Sequence, residues 1–512
     1  MIGELASALF YVVHPTPFFW VLLGVVSGIV VGSIPGLSGG MLIVLVMPLT
    51  FYMDSTLALI LMIGIYVGSV SGGLISATLL RMPGTPSSVV TTFDGYPLAR
   101  RGEAGKALAL GISSSLFGGL LAGVFLVTLS PPLSRWATSF GPWEYFGLVL
   151  MALVLIAAIS QGSMVKGLVS GALGLLVAMP GFSATDGQLR LTFGFHVLDA
   201  GFTLLPVLLG VFVVSQIIRD AMELHLSAEP VRFTQRFVSI GLASWRRHFA
   251  NMLRSSVIGT WIGILPGVDA SISAMIAYGV ARSVAREPET FGQGNESGIV
   301  ASEAANNANV GGALIPLVTL GIPGSPIDAF LLGALLLHNI QPGPLLFQTN
   351  GSFVWALIAA YLVANVLMFV IMSVTVRQVA GLANVNRAIL LPAIFVFCVI
   401  GAFALSNRLF DVWVMIGFGV FGFVLEKRGF PLGAFVIGFV LSQTFEEELR
   451  SAFMSSGGSL DELFSRPVAL AFIAVAVFAL AWPFRGRLLP LRRFAAAAPA
   501  SPEEGPSKGA PR

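Results

Sequence analysis

The chain has 512 residues, of which 56% are hydrophobic and only 10% are charged, and its formal net charge is +3. This composition excludes a soluble globular protein of this length, and the small basic excess is typical of topology signals rather than of a nucleic-acid surface. Long apolar runs predict transmembrane helices, because a helix satisfies its own backbone hydrogen bonds in lipid. We expect an all-α polytopic protein that crosses a bacterial inner membrane many times. The single cysteine, Cys398, excludes a disulfide within the chain and argues against a metal site.

Apolar runs extend from residues 18–34 near the N-terminus to residues 467–484 near the C-terminus. Several runs are too short, or too rich in glycine and proline, to be ordinary spans of about 20 residues. We therefore predict about 12 transmembrane helices together with broken or re-entrant segments. Residues 37–50, which lie between Gly36 and Pro48, are predicted to be one of these segments.

A basic interruption divides the chain into two halves. Residues 219–254 are rich in arginine, and the positive-inside rule places such a loop in the cytoplasm. We predict a first transmembrane repeat over 1–218 and this cytoplasmic linker over 219–254. A second repeat with extra spans is predicted over 255–484, and a disordered cytoplasmic tail over 485–512.

An internal repeat supports the division into halves. The spacing of Gly28, Gly32 and the pair Pro35-Gly36 returns 231 residues later in Gly259, Gly263 and the pair Pro266-Gly267. Glycines at this spacing also have a simpler explanation, since small residues allow close helix packing. The combination with proline-glycine breaks favours a duplicated unit, which is commonly inverted in transporters.

A second proline-glycine break occurs once in each half, at residues 81–86 and 321–326. Thr85 and Ser325 are predicted N-cap residues, each followed by a proline at the first helical position. The preceding Pro-Gly cannot continue a helix, so each copy predicts a helix that begins inside the membrane. Such a helix start offers free N–H groups and partial positive charge to an anion.

Polar residues close to these breaks are the candidate site. In the first half the predicted substrate-binding residues are Arg81, Gly84, Thr85, Ser87, Ser88 and Thr91, and in the second half they are Asn306, Asn307, Gly324 and Ser325. The predicted ion-coupling residues are Asp269, Glu303 and Asn309, with a sodium site or a proton carrier as the two possibilities left open. No cofactor and no other metal are expected. The alternatives are hydroxyls that bond their own helix, interhelical hydrogen bonds of the amides, and a capping box between Asp328 and Ser325.

These motifs resemble the large membrane subunit of the tripartite tricarboxylate transporters, the TctA family. The resemblance covers about residues 20–480 and is carried by residues 83–88, 94–97, 303–308, 320–325 and 341–344. Arg81 stands where the family usually has asparagine, and Ser302 stands where it usually has proline. The resemblance implies a permease that takes carboxylates from a periplasmic solute-binding protein and works with a small four-helix membrane subunit. It also implies uptake driven by a sodium or proton gradient.

The sequence leaves two alternative functions. Residues 36–39, Gly-Leu-Ser-Gly, match the short motif of intramembrane serine proteases, which also need an activating histidine on a neighbouring span. His338 is the histidine in a deep apolar run, and it has no companion motif, so we expect no enzymatic activity. A stand-alone ion-coupled permease or channel is the second alternative. The chain has no P-loop, which argues against a primary pump.

Overall fold

The computed structural model describes residues 1–159, 163–183, 186–222, 242–382, 387–404 and 406–481. Within these ranges the protein is built of helices, apart from a hairpin in which Gly181–Phe182 pairs antiparallel with Leu189–Arg190. The predicted all-α class is therefore confirmed. Most of the predicted cytoplasmic linker and all of the predicted tail lie outside the described residues.

The helices are numbered in chain order. Those before the basic linker are α1 Ile2–Val13, α2 Pro15–Ser33, α3 Gly39–Thr50, α4 Ser55–Leu80, α5 Thr91–Leu98, α6 Ala104–Ala137, α7 Pro142–Ile159, α8 Met164–Val177, α9 Leu204–Leu208 and α10 Ser215–Met222. Those after it are α11 Leu242–Gly263, α12 Ala270–Ser283, α13 Glu296–Leu320, α14 Pro326–Leu337, α15 Leu346–Thr349, α16 Gly351–Leu382, α17 Arg387–Ala404, α18 Leu409–Lys427, α19 Leu432–Ser455, α20 Asp461–Phe464 and α21 Pro467–Ala481.

In the part of the chain that the structure describes, seven helical segments are long and apolar enough to cross a membrane. They are Pro15–Ser33, Ser55–Leu80, Thr91–Ala137, Pro142–Ile159, Leu204–Met222, Gly351–Val376 and Leu409–Lys427. Six further apolar helices have only 10–17 residues, and α3 and α14 are among them. These two short helices each follow a proline-glycine break, as expected for broken spans. How many of the six cross the bilayer stays a prediction.

Glycines hold α2 and α4 in very close contact. A Cβ on Gly64 would lie 2.7 Å from the carbonyl oxygen of Val21, and one on Gly72 would lie 2.6 Å from that of Ile29. Residue numbers rise together along this contact, so α2 and α4 run parallel. The intervening α3 therefore turns back from the break, which agrees with the re-entrant segment predicted at residues 37–50.

The same arrangement recurs in the second half between α11 and α13. A Cβ on Gly263 would lie 2.5 Å from the carbonyl oxygen of Asn309, and one on Gly312 would overlap that of Thr260. Gly28 and Gly259, which the sequence repeat pairs, make equivalent contacts, because a Cβ on either would overlap a main-chain carbonyl oxygen of the neighbouring helix. In both halves these glycines allow two helices to approach closely, as expected of small residues in membrane helices.

The two halves are arranged in opposite directions. The long helices that follow the second break of each half are α6 and α16, and Gly119 of α6 faces Asn365, whereas Gly123 faces Leu362. Because one residue number rises as the other falls, these equivalent helices are antiparallel. This is the relation expected of an inverted repeat.

Hydrogen bonds of Asp94 connect the first half of the chain to the second. Its Oδ1 accepts hydrogen bonds from the backbone N–H groups of Gly292, Gly294 and Asn295 at 2.7–2.9 Å. Its Oδ2 accepts another from the hydroxyl of Tyr278 at 2.9 Å. The carboxylate is fully buried. Asp94, which the sequence singled out only as part of the motif at residues 94–97, therefore connects α5 to the loop before α13 and to α12.

Candidate functional site

Four chain breaks end in newly started helical segments, two in each half. Ser38 caps α3 by accepting the N–H of Met41 at 3.2 Å, and Asp269 caps α12 by accepting the N–H of Ala270 at 2.8 Å. Ser325 caps α14 by accepting the N–H of Asp328 at 3.3 Å, as the predicted N-cap requires. Ser38 and Asp269 are equivalent in the sequence repeat, and the structure gives them the same capping role.

The fourth break differs from the predicted helix. After Thr85 the chain forms a 3₁₀ turn, Pro86–Ser88, closed by a hydrogen bond from the N–H of Thr85 to Ser88 Oγ at 3.3 Å. The backbone stays right-handed at Val89 and Val90, so the turn leads into α5, which starts at Thr91. Reciprocal bonding between Thr85 and Ser88 tightens this first turn.

The four breaks surround one cavity of about 490 Å³. The capping residues Ser38, Thr85 and Asp269 lie on its wall, and the break at residues 321–326 contributes Pro326 and Ile327. Helix starts that carry partial positive charge therefore face a common space large enough for a small organic anion.

The predicted residues divide into two groups by position. Gly84, Thr85, Ser87 and Asp269 lie on the cavity wall. Ser325 lies one layer behind, where its Oγ is 3.3 Å from the hydroxyl of the wall residue Tyr66. Gly324 accepts the N–H of Gly267 at 2.8 Å, which ties the two breaks of the second half together.

Glu303 lies in a buried cluster of hydroxyl groups behind the first-half break. The hydroxyl of Thr91 donates to Glu303 Oε1, and that of Ser115 donates to Oε2 at 3.2 Å. Ser302 lies 3.1 Å from the Thr91 hydroxyl. All four side chains are buried, and none lies on the cavity wall. Thr91 therefore joins the two halves through Glu303 and has no access to the cavity.

The three predicted asparagines are buried in the same layer. Asn307 Oδ1 accepts from the hydroxyl of Ser71 on α4 at 2.8 Å, and Asn309 Nδ2 donates to Ser273 on α12 at 2.6 Å. The Asn306 amide lies beside Glu303, outside normal hydrogen-bonding geometry. Two of the amides thus make the interhelical hydrogen bonds that were the simpler explanation, and Asn306 is left with spare bonding capacity.

Arg81 does not join the other predicted residues. It ends α4 in the left-handed conformation, with φ 56°, and its side chain is exposed. The guanidinium carbon lies 5.8 Å from the centre of the Tyr96 ring. Arg81 is not among the residues that line the cavity.

Several cavity residues were not found from the sequence. Tyr66 was hidden in a long apolar run, and Gln216, Arg219 and Glu426 lie at the ends of helices far apart in the chain. Arg219 on α10 forms an ion pair with Glu426 on α18. Basic and acidic residues at helix ends were interpreted as topology signals, and only the tertiary structure places these two at one cavity.

The protease alternative finds no support in this geometry. The hydroxyl of Ser38 is used as a helix cap. Among the described residues on the cavity wall there is no histidine that could activate it. His338 lies at the far end of α14, beside another cavity lined by residues of α1 and α16.

Comparison with known proteins agrees with the motifs. The model of the tripartite tricarboxylate transporter TctA family matches residues 18–437. The 52.8 kDa protein of the TAR-I ttuC′ 3′ region of Agrobacterium vitis is 33% identical over 479 residues, which is 93% of this chain and 95% of the relative. A protein of the TAR-II ttuC′ 3′ region of the same organism is 32% identical over 219 residues, 43% of this chain and 90% of the relative. No solved structure matches. The match over most of the chain shows that this protein belongs to the tripartite tricarboxylate transporter TctA family, a family of transporter components.

Proposed function

We propose that this chain is the large permease subunit of a binding-protein-dependent secondary transporter. It imports small di- or tricarboxylates by symport with sodium ions or protons. The observation that carries the proposal is the cavity of about 490 Å³ on which four newly started helical segments converge. Breaks at corresponding positions of two repeats are the feature that marks substrate sites in such transporters.

The helix starts supply the attraction for an anion. A charge at a helix N-terminus gains about 0.3–2 kcal/mol, depending on how far it is shielded from water. The hydroxyls of Thr85 and Ser87 lie on the same wall and donate hydrogen bonds to carboxylate oxygens. Ser88, Thr91, Asn306, Asn307 and Ser325 act from behind, holding the breaks in position.

The coupling ion is proposed to sit between the substrate and Asp269. Asp269 lies on the wall and is the capping residue of α12, so an anionic substrate there meets a second negative charge. A bound sodium ion or proton removes this repulsion, which links substrate binding to ion binding. Glu303 and Asn309 are the further ion-coupling candidates in the buried layer, and no residue that the structure describes donates a hydrogen bond to Asn309 Oδ1.

The partners are proposed to be a small four-helix membrane subunit and a periplasmic solute-binding protein, as the word tripartite in the family name suggests. The cytoplasmic side is proposed to be the end where α6 and α11 begin. Arg100, Arg101, Arg246 and Arg247 are found there, in agreement with the positive-inside rule.

Transport in proteoliposomes tests the proposal. The chain and its small subunit are reconstituted, and uptake of labelled citrate and smaller carboxylates is measured under a sodium gradient or a proton gradient. We expect uptake only when the purified binding protein is present outside and one of the two gradients is applied. Uptake that is the same without the binding protein would favour a stand-alone permease. Failure to move any carboxylate would refute the proposal.

Single hydroxyl substitutions test the site assignment. Ser87→Ala removes a cavity donor and is expected to weaken apparent carboxylate affinity by about tenfold, the value of one hydrogen bond to a charged group. Ser114→Ala is the matched control, because Ser114 is buried on α6 and donates only to the carbonyl of Leu110 at 2.7 Å. Equal transport by both variants would show that this wall does not contact substrate.

A further inference from the structure

We propose that Arg219 is a second carboxylate-binding group of the cavity, and that it exchanges its partner Glu426 for a carboxylate of the substrate. The cavity would then select anions that carry at least two carboxylates, one at the helix starts and one at Arg219. This inference rests on the proposed function and adds to it the residue that sets the substrate class.

The ion pair lies on the cavity wall rather than in a closed interface. Arg219 belongs to α10 and Glu426 to the end of α18, and both side chains line the cavity. Each keeps 36% of its side-chain surface exposed. An exposed pair of this kind contributes little to stability, so releasing one partner costs little. Both groups are accessible to a ligand that enters the cavity.

The charged groups on the cavity wall favour exchange of Glu426 for a substrate carboxylate at Arg219. Among the described residues of this wall, Arg219 is the cation, against the two acids Asp269 and Glu426. A guanidinium presents donors in a planar fork that fits a carboxylate with two parallel hydrogen bonds. A substrate carboxylate can take the place of the Glu426 carboxylate without any change in the chemistry of the contact.

Glu426 has an alternative environment once it is displaced. It is followed directly by Lys427 and Arg428, which are both exposed at the end of α18. Cations at a helix C-terminus next to a freed carboxylate keep its charge balanced. Asp269 has no such freedom, because its two oxygens accept from the N–H of Ala270 and the hydroxyl of Ser271.

Apolar side chains share the cavity wall with the two anchor regions. Phe212, Phe330 and Phe430 are part of the same wall as the helix starts and Arg219. A molecule with a carboxylate at each end and a short carbon chain between them matches this distribution of polar and apolar groups. A monocarboxylate engages only one anchor.

Direct binding to the purified full-length chain in nanodiscs tests the inference. Calorimetry is performed with tricarballylate, glutarate and butyrate, which carry three, two and one carboxylates on short chains. In Arg219→Gln the affinity for tricarballylate and for glutarate is expected to fall by about ten- to a hundredfold, as loss of one charged hydrogen-bonding partner predicts. The affinity for butyrate is expected to stay within about twofold of the wild-type value.

Glu426→Gln separates ligand exchange from a purely structural ion pair. It removes the competing carboxylate, so the proposal expects tricarballylate to bind several-fold more tightly than to the wild type. A structural role predicts equal or weaker binding, and that result would overturn the inference, as would an unchanged preference for tricarballylate over butyrate in Arg219→Gln. A wild-type chain that binds none of the three probes would overturn the assignment of this cavity as the substrate site, whereas the proposed function is refuted by reconstituted transport that moves no carboxylate.

Discussion

Replacing Gly84 with alanine tests the close approach between the first-half break and α2. A Cβ at this position would overlap the carbonyl oxygen of Gly32, and it would lie 2.5 Å from Ser76 Oγ and 3.1 Å from the Cα of Gly73. A carbon atom normally stays about 3.3–3.6 Å from an oxygen, so Ser76 must retreat by about 1 Å. The Gly32 carbonyl is main chain and cannot retreat without moving α2.

The loss of folding free energy in Gly84→Ala follows from this overlap. Inserting one carbon into a closely packed interior typically costs about 1–3 kcal/mol, and a contact with main chain places Gly84→Ala at the upper end of this range. Gly324, at the equivalent break, would place its Cβ 3.0 Å from Ala313 Cβ and 3.1 Å from the Gly263 carbonyl oxygen. This requires shifts of only a few tenths of an ångström, so Gly324→Ala is expected to cost about 1 kcal/mol or less.

The assay uses the single cysteine of the protein. Cys398 is buried, so a thiol-reactive fluorescent dye labels it only when the protein unfolds, and heating with the dye gives an apparent unfolding temperature. Gly417→Ala is the control, because nothing lies within 4 Å of a Cβ there. The expected order of unfolding temperature is Gly84→Ala lowest, then Gly324→Ala, then Gly417→Ala and the wild type together. If Gly84→Ala unfolds like Gly417→Ala, the packing argument for the break is wrong.

Three further predictions follow from contacts outside the cavity. Asp94→Ala leaves several buried donors unpaired and should destabilise the protein by at least about 2 kcal/mol in thermal unfolding. Asp94→Asn keeps an acceptor, so its loss of stability should be smaller. A double-mutant cycle on Ser71 and Asn307 should give a coupling of about 0.6–1.7 kcal/mol, and additive effects would contradict the bond. The ion pair with Arg190 lowers the pKa of Glu446, so its stabilisation is present above the unfolded pKa of about 4.3 and is lost as pH falls through the lower folded value. Glu446→Gln should therefore have a lower unfolding temperature than the wild type at pH 7, and the difference in unfolding temperature should shrink below about pH 4.

Local signals in the sequence were sufficient for the architecture. Proline-glycine pairs followed by serine or threonine predicted where helices restart, and the cap at Ser325 is confirmed, whereas Thr85 leads into a 3₁₀ turn before α5 starts at Thr91. The glycine spacing predicted which surfaces pack closely, and the contacts of Gly28 and Gly259 bear this out. These features depend on residues close together in the chain, so one sequence is enough to reveal them.

The composition of the cavity wall could not be predicted in the same way. Arg219 and Glu426 are separated by 207 residues, and neither has a local pattern that distinguishes it from an ordinary charge at a helix end. Conversely, Arg81 adjoins the motif but is not part of the cavity wall, and it ends α4 in the left-handed conformation. Side-chain direction at a break depends on backbone conformation, which residue type alone does not specify.

The two halves share a backbone plan but differ in the charge of one cap, and this difference organises the proposed mechanism. Ser38 leaves the start of α3 with a neutral side chain, so its partial positive charge is available to an anion. Asp269, the equivalent residue, neutralises the start of α12 with its own carboxylate. An inverted repeat with two identical caps would offer two equal anion sites. In the proposed mechanism, the change from serine to aspartate makes the start of α3 suited to a carboxylate and the start of α12 suited to a cation, as symport of an anion with a coupling ion would require.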